Sequence, residues 1–126
     1  MTEQEKKIML IDLCARLPYG VKGKVETTDG NGKEIKDEGV LNGVYINEYG
    51  AAYICIEGME YELEDVKPYL RPMSSMTKDE EETECYLRTY QSRRYADFCY
   101  SKHLDYRGLI EKGLALPAPN EMYNIK

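Results

Sequence analysis

The sequence predicts an α+β protein: an N-terminal helix, then a small antiparallel β-barrel, then a helical extension. Three observations indicate this order. Helix-start signals stand at residues 2–5 and again at 77–80. Between them, residues 20–65 carry short β-branched runs separated by turn signals. We therefore assign residues 1–72 to the first helix and the barrel. Residues 73–126 are assigned to a linker, a long helix, a short helix and an extended tail, all packed on the barrel.

The N-terminal helix begins at a capping box, Thr2 with Glu5, in which the Thr hydroxyl accepts from the third helical amide and the Glu reaches back. Apolar residues at helical spacing follow, and Pro18 and Gly20 end the pattern. These signals predict a short amphipathic helix. We expect its buried face to consist of Ile8, Ile11 and Ala15, flanked by Leu10, Leu13 and Leu17.

The strands are predicted from the turns that separate them. Turn signals occur at residues 29–32, at Asn42-Gly43, at Tyr49-Gly50 and at Glu57-Gly58. Short strands joined by tight turns predict an antiparallel meander. Asn42-Gly43 leaves two interpretations open: a hairpin turn, or a bulge that bends one long strand.

Residues 59–64 alternate strictly between apolar and acidic side chains. We expect Met59, Tyr61 and Leu63 to face the core, while the three glutamates between them face water. Pro68 and Pro72 then bracket a segment too short for a helix, which predicts one 3₁₀ turn leading into a last short strand. A meander of this length, closed by such a turn, is the plan of a five-stranded SH3-like barrel spanning about 20 to 72.

The C-terminal part begins with a second capping box, Thr77 with Glu80. Helical periodicity predicts one helix from about 78 to about 101. Asp105 is expected to cap a shorter helix, roughly Tyr106 to Lys112, which ends at Gly113. The two prolines that follow predict an extended tail.

Composition limits the function classes. The 126 residues carry a net charge of −6, which opposes non-specific binding to nucleic-acid phosphates, so a nucleic-acid partner is disfavoured. Neither a signal-peptide pattern nor an apolar run of about 18 residues is found, so no membrane association is expected. The four cysteines form no CxxC pair, which predicts reduced thiols in a cytoplasmic protein.

No catalytic constellation is recognisable. The single histidine, His103, stands four residues after Cys99, a spacing that permits a metal pair or a Cys–His dyad on one helix face. A helix-end histidine beside a buried cysteine is the favoured interpretation, and a cryptic enzyme or metal site is the alternative. The glycines form no phosphate-binding loop. We therefore predict no enzyme, and no catalytic residue, cofactor or metal.

The residues that remain suggest an interaction surface. The chain contains twelve tyrosines and no tryptophan, and a tyrosine combines a large apolar ring with a hydroxyl. The expected surface comprises Tyr45, Tyr49, Tyr53, Glu60, Glu62, Glu64, Arg93 and Arg94. This predicts a non-catalytic module that binds an unknown protein partner or a second copy of itself.

Two other functions stay open beside the interaction module. The glutamates at 60, 62 and 64 could form an acidic stripe that imitates a phosphate backbone, as in an inhibitor that occupies a nucleic-acid cleft. Alternatively, the basic side chains of Arg88, Arg93, Arg94 and Arg107 could serve a nucleic-acid-binding accessory protein.

Three stretches of sequence act as landmarks: residues 13–21, which include LPYGV, residues 66–77, which read VKPYLRPMSSMT, and residues 104–116, which read LDYRGLIEKGLAL. With these landmarks the chain resembles a group of small uncharacterised proteins from gut Bacteroides species and their prophages and mobile elements. The resemblance implies a bacterial cytoplasmic protein of phage or mobile-element origin, with partners that differ between relatives. It implies no activity, and it gives no residue a role.

Overall fold

The computed structural model describes residues 1–123 and has the predicted α+β composition. It contains an N-terminal helix, an open sheet of six strands and two further helices. The chain divides into two compact units, Met1–Tyr69 and a second that begins at Leu70. No helix within residues 1–123 is long and apolar enough to cross a membrane.

Helix α1 (Glu3–Arg16) begins at the predicted capping box. The Glu5 amide donates to Thr2 Oγ1 over 3.0 Å, and the Thr2 amide donates to Glu5 Oε1 over 2.9 Å. After Arg16 the chain tightens into one 3₁₀ turn and leaves it at Gly20, whose φ of 72° suits glycine. The predicted start and end of this helix are therefore confirmed.

The buried face of α1 differs from the predicted one. Met9, Asp12, Leu13 and Arg16 are buried, whereas Ile11 is 58% exposed. Asp12 and Arg16 form an ion pair one helical turn apart, with 2.7 Å between Arg16 Nε and Asp12 Oδ2. The prediction placed apolar residues alone on the core side, and the buried pair rotates the inward face away from Ile11.

Five strands lie between residues 20 and 72, as predicted, but the 3₁₀ turn expected between Pro68 and Pro72 is wrong: the turn lies earlier, at Leu63–Asp65, and Pro68 belongs to the last of the five strands. The five strands are β1 (Lys22–Thr28), β2 (Glu34–Ile46), β3 (Ala52–Ile56), β4 (Met59–Glu62) and β5 (Val66–Leu70). Each pairs antiparallel with its neighbours in the order β4-β3-β2-β1-β5. The inward side chains of these strands, among them Val25, Ile54 and Ile56, form a core that is closed to solvent.

Asn42-Gly43 is a bulge and not a hairpin turn. Strand β2 runs through it for thirteen residues, and the pairing with β3 shifts between Leu41, opposite Ile56, and Gly43, opposite Cys55. Asn42 is the extra residue. Strand β2 pairs with β1 up to Val40 and with β3 from Leu41 onward, so the bulge lies next to the point where the strand changes partner.

The predicted closure into a barrel is not found in residues 1–123. Strand β4 pairs with β3 alone, and its other edge is open. The strand has four residues, and a 3₁₀ turn at Leu63–Asp65 then leads directly into β5, so no residues pair between β4 and β5. Met59, predicted to face the core, is 58% exposed because it begins this edge strand next to a tight turn.

The second unit contains two helices where one was predicted. Thr77 and Glu80 form the expected capping box at the start of α2 (Lys78–Tyr90). The helix ends at Gln91, whose backbone leaves the helical region with φ −139° and ψ 61°, and α3 (Ser92–Ser101) follows. The prediction of a single helix from 78 to 101 is therefore wrong at this residue.

The predicted short helix from 106 to 112 is absent, and turns occupy this segment. The Asp105 carboxylate does cap the segment, since it accepts bonds from the amides of Leu109 and Ile110 at 2.8 and 3.0 Å. The two amides lie four and five residues after Asp105, and the residues from Asp105 to these amides do not form a regular helix. Farther along, strand β6 (Leu116–Pro117) completes the sheet, and the Ala118 amide donates to the Leu70 carbonyl over 2.8 Å.

Candidate interaction face of the first unit

A row of three side chains crosses the outer face of strands β2, β3 and β4. Tyr45 lies opposite Tyr53, and Tyr53 lies opposite Glu62. Directly opposed residues of antiparallel strands project from the same face of a sheet. The two rings are 6.2 Å apart between centroids, and 49% of Tyr45 is exposed. The strand neighbour Ile54 points to the core, which fixes Tyr53 on the outer side.

The next row of residues on the same face has small side chains on β2 and β3. Gly43 lies opposite Cys55, and Cys55 lies opposite Glu60. A glycine and a half-buried cysteine therefore separate the tyrosine row from the end of the strands. We call Tyr45, Tyr53, Glu60 and Glu62 the outer face: two aromatic rings on one side and two carboxylates at the open edge.

A groove of about 420 Å³ adjoins the outer face, between α1 and the ends of the strands. Tyr49, in the turn before β3, is 86% exposed and lines this groove together with Tyr53 and Glu62. The helix side is lined by Glu3, Lys6, Lys7 and Leu10. Sequence reasoning missed this contribution of α1, because nothing in the helix pattern indicates which strand ends lie beside it.

Glu64 belongs to the groove and not to the outer face. The strand ends at Glu62, so Glu64 lies in the 3₁₀ turn, and its carboxylate is 3.1 Å from the Lys6 ammonium. The hydrogen bond from Lys6 holds the pKa of Glu64 below its usual value, and the same contact raises the pKa of Lys6. The predicted stripe of three glutamates on one strand is thus reduced to two.

Two tyrosines that do not belong to the outer face form hydrogen bonds between strands. The Tyr61 hydroxyl donates to Asp37 over 2.6 Å, and the Tyr69 hydroxyl donates to Glu38. The bond from Tyr61 lowers the pKa of Asp37. These tyrosines connect strands, whereas Tyr45 is half exposed on the outer face.

The outer face combines two kinds of group that interact with cations. Aromatic rings attract cations through the negative faces of their π-systems, and carboxylates accept charge-assisted bonds from ammonium and guanidinium groups. The outer face places both kinds of group side by side on neighbouring strands.

The predicted arginines lie in the second unit. Arg93 and Arg94 are exposed in the first turn of α3. Arg88, which belonged to the same predicted cluster, contacts Glu84 at 3.1 Å. Arg107 donates to the Tyr100 hydroxyl over 2.6 Å. Two of the four arginines proposed for nucleic-acid binding are therefore engaged within the protein.

A buried ion pair organises the start of α2. The Arg71 guanidinium donates to both carboxylate oxygens of Glu80, at 2.7 and 2.9 Å, and also to the carbonyls of Ser75 and Lys102. Hydrogen bonds from Arg71 and from the Thr77 amide lower the pKa of Glu80 to about 2, against the cost of burial. A cavity of about 650 Å³ lies beside Arg71, but both terminal nitrogens of this guanidinium already have protein partners.

Cys99 and His103 do not share a helix face. Helix α3 ends at Ser101, and His103 lies beyond it with a φ of 61°. Both residues are buried, and the imidazole stacks on the Tyr123 ring with 3.7 Å between centroids. Within residues 1–123, no three His, Cys, Asp or Glu side chains are grouped so as to hold a metal ion.

Comparison with protein-family models, curated proteins and solved structures finds no match for this chain. The resemblance to small Bacteroides and prophage proteins therefore stays a prediction. The outer face and the groove beside it have to be interpreted from their own chemistry.

Proposed function

We propose that the chain is a non-catalytic protein-interaction module whose outer face receives cationic side chains of a partner protein. The observation that carries this proposal is the row of Tyr45, Tyr53 and Glu62 on three neighbouring strands. Exposed aromatic side chains are enriched at protein interfaces, and a carboxylate beside them adds selectivity for a basic partner. The net charge of −6 favours the same class of partner over long range.

The architecture that we propose for the first unit is an opened SH3-like meander. The return of β5 to the side of β1, the bulge in β2 and the 3₁₀ turn before β5 support it. A fold of this kind carries no function by itself, so the proposed function rests on the outer face alone.

The acidic-inhibitor hypothesis gives the same carboxylates another partner, the basic cleft of a nucleic-acid-binding protein. Glu64 is engaged by Lys6, so Glu60 and Glu62 alone would have to imitate the phosphates. Two charges beside two tyrosine rings fit a cationic side chain better than a long phosphate-binding cleft. For this reason the interaction module is the proposal that we carry forward.

An array of twelve-residue peptides, sorted by net charge, tests the proposal. We expect the purified chain to be retained on basic peptides and the variant Y45A/Y53A to lose most of this binding. The matched control is Y86A/Y90A, which removes another exposed tyrosine pair with rings 5.4 Å apart, this one in α2. Equal loss in both double variants, or equal retention on acidic and basic peptides, would refute the proposal.

A further inference from the structure

The open edge of β4 has a definite pattern of free backbone groups. Strands β3 and β4 are joined by the two-residue turn Glu57-Gly58, in which both residues have positive φ, 49° and 87°. This is the geometry of a type I′ hairpin turn. The residues that flank such a turn, here Ile56 and Met59, exchange both of their backbone hydrogen bonds.

Hydrogen-bonded and non-hydrogen-bonded pairs alternate along an antiparallel ladder. Counting from the turn, Cys55 with Glu60 and Tyr53 with Glu62 are the non-hydrogen-bonded pairs. Both the N–H and the C=O of Glu60, and the N–H of Glu62, therefore point away from β3, toward the open edge. The Glu62 carbonyl accepts the first bond of the 3₁₀ turn Leu63–Asp65. The same two residues carry their side chains on the outer face, so each presents a backbone donor and a carboxylate, and Glu60 presents a backbone acceptor as well.

We propose that an extended segment of a partner protein adds to β4 as an antiparallel strand, with Lys or Arg at two positions separated by one residue. This inference rests on the proposed function and specifies how the partner binds. A residue opposite Glu60 forms two backbone hydrogen bonds there, and one opposite Glu62 accepts from the Glu62 amide. In both positions the side chain projects beside the glutamate. Positions two apart on a strand are about 7 Å apart, which matches the spacing of the two glutamates.

The charges also determine which strand does not bind. A second copy of β4 paired antiparallel to the first would bring glutamates opposite glutamates, and like charges in that position are destabilising. Charged side chains on a short edge strand are a common protection against self-association. The edge therefore disfavours a second copy of this chain and favours a strand of opposite charge.

Two ten-residue peptides of identical composition, built from Thr and Val with two Lys, test the inference on the full chain. In one peptide a single residue separates the lysines, and in the other they are adjacent, so that only one can reach the outer face. We expect the first to bind about fivefold more tightly in an NMR titration. At saturation, the amide hydrogens of Glu60 and Glu62 should exchange at least about tenfold more slowly, because they donate to the added strand.

The preference should disappear in E60Q/E62Q and persist in E82Q/E111Q, which removes the same charge from two exposed side chains of the second unit. Equal binding of both peptides without slowed exchange would overturn strand addition, yet the proposed function would stand if Y45A/Y53A still lost that binding. If neither peptide bound the native chain more tightly than E60Q/E62Q, both the inference and the proposed function would be wrong.

Discussion

The ion pair between Asp12 and Arg16 makes a strong prediction for stability. Both side chains are fully buried, and two bonds join them, at 2.7 Å from Nε and 3.3 Å from Nη2. The substitution Asp12→Asn keeps the shape of the side chain and removes the negative charge that faces the buried guanidinium of Arg16. Removing one partner of a buried pair costs about 3–5 kcal/mol, a large share of the ~5–15 kcal/mol that stabilises a domain.

Urea unfolding followed by circular dichroism measures this loss. With a slope of about 2 kcal/mol per molar urea, a loss of ~4 kcal/mol lowers the unfolding midpoint by about 2 M. Glu3→Gln is the matched control: Glu3 pairs with Lys6 in the same helix over 3.5 Å, but the Glu3 side chain is 90% exposed. An exposed pair contributes at most about 1 kcal/mol, so this midpoint should move by less than about 0.5 M.

A third variant separates the charge from the packing. Asp12→Leu combined with Arg16→Met replaces both partners by apolar side chains, and such replacements are often neutral or stabilising. We expect this double variant to recover most of the stability that Asp12→Asn loses. If Asp12→Asn moved the midpoint no more than Glu3→Gln, the conclusion that burial makes this pair important would be wrong.

Two further predictions concern packing and pH. A Cβ added at Gly23 would lie 2.7 Å from Leu41 Cδ1, so Gly23→Ala should lower the free energy of unfolding by about 1–3 kcal/mol. The control is Gly30→Ala, because a Cβ added at Gly30 meets open space. A comparable loss of stability in Gly30→Ala would contradict this explanation. Because Arg71 depresses the pKa of Glu80 to about 2, the ionised carboxylate stabilises the fold above about pH 4.5, and this stability is lost as the pH falls toward 2. Urea titrations should show a decline on the order of 2–3 kcal/mol over that window in the native chain, and a clearly smaller one in Glu80→Gln.

Local signals predicted the parts of the fold that local bonds determine. The capping boxes at Thr2 and Thr77 depend on residues three positions apart, so the sequence is sufficient to place both helix starts. Gly20 similarly ends the first helical segment through its own backbone preference. The strands between 20 and 72 follow from turn residues for the same reason.

Features that depend on distant contacts were not predictable. Neither glycine nor proline stands near Gln91, so composition gives no sign that the helix breaks there. Asp12 and Arg16 look like an ordinary exposed pair in sequence, and only tertiary packing buries them. Barrel closure failed as a prediction because it depends on an edge-to-edge pairing that the four residues of β4 do not make.

The candidate site was predictable residue by residue but not as an arrangement. Strict alternation indicates that Glu60 and Glu62 point outward, and the high tyrosine content indicates an interaction surface that includes tyrosines. The alignment of Tyr45 with Tyr53 depends on the register after the bulge, which the sequence left open between two interpretations. Glu64 was grouped wrongly because the alternation continues past the residue where the strand ends.

The bulge in β2 also bears on how this chain can change in length. Before it, alternate residues up to Leu41 face inward, and after it the phase is reversed, so that Val44 faces inward and Tyr45 outward. Asn42 absorbs the odd residue. Deletion of one residue elsewhere in β2 would turn the side chains on one side of the deletion to the wrong face of the sheet. Deletion of Asn42 would remove the bend and leave every other side chain of β2 on its present face. A one-residue deletion in β2 is therefore expected to be tolerated better at Asn42, where it would change the bend of the strand and leave its two faces as they are, than elsewhere in the strand.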